Sequence, residues 1–158
     1  EKVSEFALIR LQARSQGLPW MLDANGFGRN NGSITQHSYE ALQAEVAEGT
    51  SIVVVNSEGM VERTVCIVIF NITRPEDDSI LVQLGTHTNG NVTVSVQQPG
   101  GKRKQGETVA ECADRISTGR CPFLNENFVH EQMSTALQQA SSRSHGVGTL
   151  YRKSILHG

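Results

Sequence analysis

Gln98-Pro99-Gly100-Gly101-Lys102-Arg103-Lys104-Gln105-Gly106-Glu107-Thr108 is the stretch on which the fold turns. It sits between a segment with strand character and one with helix character. Gly100 and Gly101 let the backbone turn tightly, Gly106 permits a second sharp bend, and Thr108 is placed to cap a helix. After it, Val109, Cys112, Ala113 and Ile116 fall at i, i+3, i+4 and i+7, one apolar face of a helix that Gly119 and Pro122 end. Before it, Val92–Val96 alternates apolar and polar residues as a half-buried strand does. The unit is strand, glycine-rich basic loop, helix.

Working upstream, Ser51–Val55 and Val61–Ile72 are β-branched runs, the second apolar enough for burial on both faces. Ser79–Leu84 reads as a third strand, and the Asn-Gly pair within Thr86–Asn91 predicts a hairpin turn into the fourth. Connections this short make the pairing mainly antiparallel. Ser38 and Gly49 bracket a helix from about Tyr39 to Glu48, and residues 3–16 read as another. Between those helices Gly26, Gly28 and Gly32 mark a turn-rich loop whose spacing misses a dinucleotide fingerprint by one residue. Downstream, Glu126–Ala140 predicts a helix with Phe128, Val129, Met133 and Leu137 facing in, and Thr149–Leu156 a last strand. The expected architecture is α/β: a mixed, largely antiparallel sheet flanked by helices. One domain is expected over 1–158, with 1–50 a helical and loop extension and 51–158 the core. The opening Glu1-Lys2-Val3 suggests a domain cut from a longer protein.

The basic loop and its helix resemble the box of the Nudix superfamily, a Gly, five residues, a Glu, seven residues, then Arg-Glu and a paired Glu-Glu. Gly101, Glu107 and Arg115 match in register. The strands Arg63–Ile72, Ser79–Leu84 and Val92–Gln97 precede the loop in the order seen in that family, so the resemblance covers roughly 60–120. It implies a Nudix-like α/β/α sandwich. It also implies a site at the box where carboxylates after the Arg bind divalent metals that polarise a diphosphate and activate water.

This chain departs from the box where the chemistry lies. Ile116, Gly119 and Arg120 occupy the positions of the metal-binding carboxylates. The expectation is a catalytically inactive Nudix-like domain, without metal cofactor, acting in binding, regulation or protein interaction. Lys102, Arg103, Lys104, Glu107, Arg115 and Arg120 are its candidate ligand-binding residues. Their cations and loop N–H groups suit a nucleoside-diphosphate ligand such as ADP-ribose; a solvated basic loop is the plainer reading. Other domains of the parent protein, or a protein partner, are the expected partners. The alternative is an active, Mg²⁺-dependent diphosphate hydrolase with displaced ligands Glu107, Glu111 and Asp114. Helical geometry places Glu111 and Asp114 opposite the apolar stripe, where a solvated face belongs.

Composition narrows the field further. With 14 basic and 16 acidic side chains the net charge is −2, which argues against a general nucleic-acid or membrane-surface binder. Aromatics at 5% offer no base-stacking platform. No apolar run is long enough to span a bilayer. The 3 cysteines, Cys66, Cys112 and Cys121, leave at least one thiol free, which suits a reducing compartment, so a cytoplasmic location is expected. Asn31, Asn71 and Asn91 head glycosylation triplets that would matter only in a secreted protein. The histidines show no metal-ligand spacing, and Cys112 reads as core rather than nucleophile.

Overall fold

The computed structural model describes residues 36–55, 61–124, 128–141 and 147–158. The expected helix over 3–16 and the glycine loop at 25–33 lie outside them. The elements in chain order are α1 (Gln36–Ala47), β1 (Ile52–Val55), β2 (Val61–Asn71), β3 (Thr73–Arg74), β4 (Ser79–Ile80), β5 (Gln83–Thr88), β6 (Asn91–Gln97), β7 (Gly100–Lys102), α2 (Val109–Gly119), β8 (Gln132–Ser141) and β9 (Gly148–His157). The class is mixed α/β and mostly strand. Among the described residues no helix is long and apolar enough to cross a membrane.

The main sheet runs β1-β2-β9-β8, and β7 also pairs β2. β1 pairs the first part of β2 antiparallel, Val55 opposite Val61, and β7 pairs its second part antiparallel, Gly101 opposite Val68. β9 runs parallel to β2. The side-chain bonds Arg63–Thr149 and Asn71–His157 both join residues 86 apart, and only a parallel pair keeps that separation constant. The sheet is therefore mixed. β3–β4 and β5–β6 form separate two-stranded sheets.

The chain divides into two compact units, Glu1–Val65 with Leu137–Tyr151, and Cys66–Ala136 with Arg152–Gly158. In the first, Leu42 of α1 packs with Val53, Val61 and Val147, and Val46 covers them one helical turn on. α1 ends in a Schellman motif: Gly49, at φ +73°, donates to the Val46 carbonyl and Thr50 to the Glu45 carbonyl. In the second unit Val68, Phe70, Cys112, Ile116, Leu124 and Leu156 form the core. Phe70 meets Phe128 edge to face, with ring centroids 5.3 Å apart.

Three expectations are corrected. Residues 132–141 are strand β8, not part of a helix over 126–140. Of the four residues that argued for a helix, Val129, Met133 and Leu137 are exposed and only Phe128 packs against the core, and backbone pairing with β9 decides the conformation. Ser79–Leu84 is not one strand: β4 stops at Ile80 and β5 starts at Gln83 with a different partner. Ser38 lies inside α1 rather than at its cap. The Asn-Gly turn is as expected, with Asn89 at φ 50° and Gly90 at φ 81°, the pair of positive angles a type I′ hairpin needs.

Candidate functional site

β7, the basic loop and α2 all lie in the second unit. Pairing of β7 with β2 needs glycine. A Cβ on Gly100 would stand 2.5 Å from the Val68 carbonyl oxygen, and one on Gly101 would stand 3.2 Å from Ile116 Cδ1. The ladder continues through Arg103 N–H to the Cys66 carbonyl at 2.8 Å. Gly106, at φ +83°, then turns the chain toward α2. Thr108 caps that helix in a capping box: its hydroxyl accepts from Glu111 N–H, and the Glu111 carboxylate accepts from Thr108 N–H at 2.7 Å.

At the centre stands the pair Glu107–Arg115. Arg115 Nε donates to Glu107 Oε1 at 2.6 Å and Nη2 to Oε2 at 2.9 Å, a bidentate fork. Nη2 also reaches the Lys102 carbonyl at 3.0 Å and Cys112 Sγ at 3.5 Å. Lys104 N–H donates to Glu107 Oε2 at 2.8 Å. Two side chains thus hold both ends of the loop to the helix. The Arg115 guanidinium holds the Glu107 carboxyl down at about 2. The same pairing raises Arg115, and burial pushes the Cys112 thiol up to about 11, which makes it a poor nucleophile.

Of the six candidate residues, the structure joins Glu107 and Arg115 by side chains, and Lys102 and Lys104 through their backbone. Arg103 is half-buried with its N–H committed to the ladder. Arg120 is exposed, with Nη1 3.9 Å from where a Gly101 Cβ would stand. Ile116 is 1% exposed, inside the core. Glu111 and Asp114 are exposed, and among the described residues no group of His, Cys, Asp and Glu is placed to hold a metal.

The sequence reading did not anticipate a cavity of about 430 Å³ walled by Phe70, Val109, Ala113, Leu124, Phe128 and Leu156, with Asp114 and His130 also lining it. Along α2, Val109, Ala113 and Ser117 span about 80° and Arg115 lies about 160° from their middle. The cavity and the Glu107–Arg115 pair therefore occupy opposite sides of the helix. No protein-family model matches the chain, and no curated protein matches it.

A second polar chain in this unit was also hidden from sequence. Gln98 Nε2 donates to Asn71 Oδ1, Asn71 Nδ2 faces His157 Nδ1 at 3.1 Å, and Ser134 Oγ lies 2.7 Å from His157 Nε2. Gln98 fixes the Asn71 amide so that its NH₂ meets Nδ1. The proton of neutral His157 then sits on Nε2 and is donated to Ser134, the wrong polarity for activating a serine. The amide of the Asn71 glycosylation triplet is committed to this chain.

The depressed Glu107 group sets a pH dependence. Its carboxylate is favoured in the folded state, so the stabilisation is complete above the ordinary carboxylate value of 4.5 and is lost as pH falls towards about 2. Arg115 is 38% exposed, so screening limits the effect to about 1 kcal/mol. Urea midpoints for the native chain and Glu107→Gln should differ at pH 6 and converge near pH 2. A gap that stays constant with pH would mean the pair does not carry it.

Proposed function

We propose that this chain contains a Nudix-like domain that does not hydrolyse diphosphates and serves as a binding and protein-interaction module. The observation that supports it is the closure of the box on itself. Glu107, the box carboxylate that matches in register, gives both oxygens to Arg115, and Ile116 is packed in the core at a position where a family member would present a carboxylate. Glu111, one of the proposed displaced ligands, gives its carboxylate to the helix cap. The order of strands, basic loop and helix supports the family reading. Packing at Ile116 favours the interaction branch over a cleft centred on Arg115.

The test is metal-dependent turnover. ADP-ribose, dinucleoside polyphosphates and nucleoside triphosphates with Mg²⁺ should release no product above blank, and Glu107→Gln should behave identically. Turnover that requires Mg²⁺ and disappears in Glu107→Gln would establish the hydrolase instead. A nucleoside-diphosphate ligand is a second reading, favoured by the exposure of the cations Lys104 and Arg120. It requires a thermal shift with ADP-ribose in the absence of metal, about 2.7 kcal/mol at 100 times the dissociation constant, that vanishes in Arg120→Glu.

A further inference from the structure

The pocket on the far side of α2 has no part in the box. All of its lining residues belong to the second unit. Phe70, Leu124 and Leu156 form its floor and are 2%, 4% and 6% exposed, and Ala113 walls it from the helix. Protein interiors close on most voids larger than a water molecule, because a gap forfeits the contacts of everything that lines it. At about 430 Å³ the pocket instead falls within the roughly 300–1,000 Å³ of small-molecule sites, which pair apolar walls with a few polar groups.

Those polar groups lie at the rim, where Asp114 and His130 are exposed. Asp114 is the one carboxylate among the lining residues, and no Lys or Arg joins it there. The neighbouring acids are committed: Glu107 holds Arg115, and Glu111 closes the helix cap. Ser117 Oγ donates to the Asp114 carbonyl and so leaves its side chain alone. Among the described residues the Asp114 carboxylate has no hydrogen-bond or ion-pair partner.

We propose that this pocket binds a small organic cation, an aromatic body carrying one protonated amine. The body fills the space over Phe70, Leu124 and Leu156, and its burial supplies the affinity. The ammonium at the rim donates to the Asp114 carboxylate, a charge-assisted bond that fixes the orientation. A neutral His130 ring offers a second acceptor nitrogen. Charge selects the ligand: a phosphate or carboxylate in this pocket would meet Asp114 as its like, with no lining cation to receive it. The diphosphates that suit the basic loop therefore do not suit this pocket. Arg115 points from the opposite side of α2, so the site is independent of the Glu107–Arg115 pair and of the family reading.

Methyl nuclear magnetic resonance of the full chain, titrated with phenethylamine and with tryptamine, tests it. Saturable shifts are expected at Ala113, Leu124 and Leu156, with a dissociation constant of about 1 mM for ligands this small. Leu42 and Val53, in the core of the other unit, should not move. The anion phenylpropionate, similar in shape, should bind about five-fold more weakly than phenethylamine. Asp114→Asn, an exposed change, should weaken both amines by about five-fold and leave neutral phenylethanol unaffected. Ala113→Leu, which fills the pocket from the helix, should abolish binding of amine and alcohol alike. Three results would overturn the proposal: shifts that do not saturate by about 10 mM amine, phenylpropionate that binds as well as phenethylamine, or amine binding that Asp114→Asn leaves unchanged.

Discussion

Ile116→Glu is expected to unfold the unit that holds the box rather than rebuild a metal site. Ile116 is 1% exposed and packs in the core cluster with Val68, Phe70, Cys112, Leu124 and Leu156. Emptying such a position costs about 2–5 kcal/mol in lost burial and cavity. A carboxylate placed there also loses its hydration with no built partner, so the total exceeds about 4 kcal/mol, a large share of the stability of an ordinary domain. Ile116→Val, which removes one methylene in the same place, should cost only about 0.5–1.5 kcal/mol. Urea unfolding followed by circular dichroism measures both. A glutamate variant as stable as the native chain would mean that this helix face is open to water, and the argument for a closed box would fall with it.

The same residue explains what could be read from sequence. Ile116 shares a face with Val109, Cys112 and Ala113, so periodicity alone gave the helix, its buried stripe and its ends at Thr108 and Gly119. Strands β1, β2 and β6 followed from β-branched runs, and the hairpin turn followed from Asn-Gly, a pair that tolerates two positive φ angles. What failed was β8. Gln132–Ser141 has no strong strand propensity, and its conformation comes from pairing with β9, the next strand along the chain. β2 reads as buried on both faces, and its fully buried residues do fall on both, at odd positions in its first part, Val61, Arg63 and Val65, and at even positions in its second, Val68 and Phe70.

At the site, the residue types were legible and their partners were not. Gly101, Glu107 and Arg115 were picked out by spacing. The fork between Glu107 and Arg115 crosses a turn and two turns of helix, a separation for which no helical or strand period gives a rule. Arg115 was therefore read as a cation available to a phosphate, whereas most of its donors hold the loop to the helix. The cavity on the other side of α2 depends on Phe70, Leu124, Phe128 and Leu156, contributed from far apart in the chain, and only the fold gathers them.

Glu45→Ala is expected to produce a loss of about 3–5 kcal/mol in the other unit, through a charge that sequence gave no reason to bury. Arg63 belongs to β2, a strand of otherwise apolar residues at its buried positions, and its side chain is only 4% exposed. Its Nε donates to Glu45 Oε2 at 2.9 Å, Nη2 meets the same oxygen, and Nη1 lies 3.5 Å from Thr149 Oγ1. Removing the carboxylate strands a guanidinium away from water, and breaking a buried pair from one side is the costly case. The two partners are not equivalent, because Glu45 keeps 19% of its side chain exposed. In Arg63→Met the carboxylate can turn to solvent, so that variant should lose less than Glu45→Ala. The double variant Glu45→Ala/Arg63→Met should recover part of the loss, since an apolar side chain of similar reach replaces the stranded charge. Chemical unfolding of the four chains completes the cycle. Equal single losses below about 1 kcal/mol would place the pair in water, whereas a larger loss for Glu45→Ala that Arg63→Met relieves would identify the guanidinium as the group that cannot be left alone.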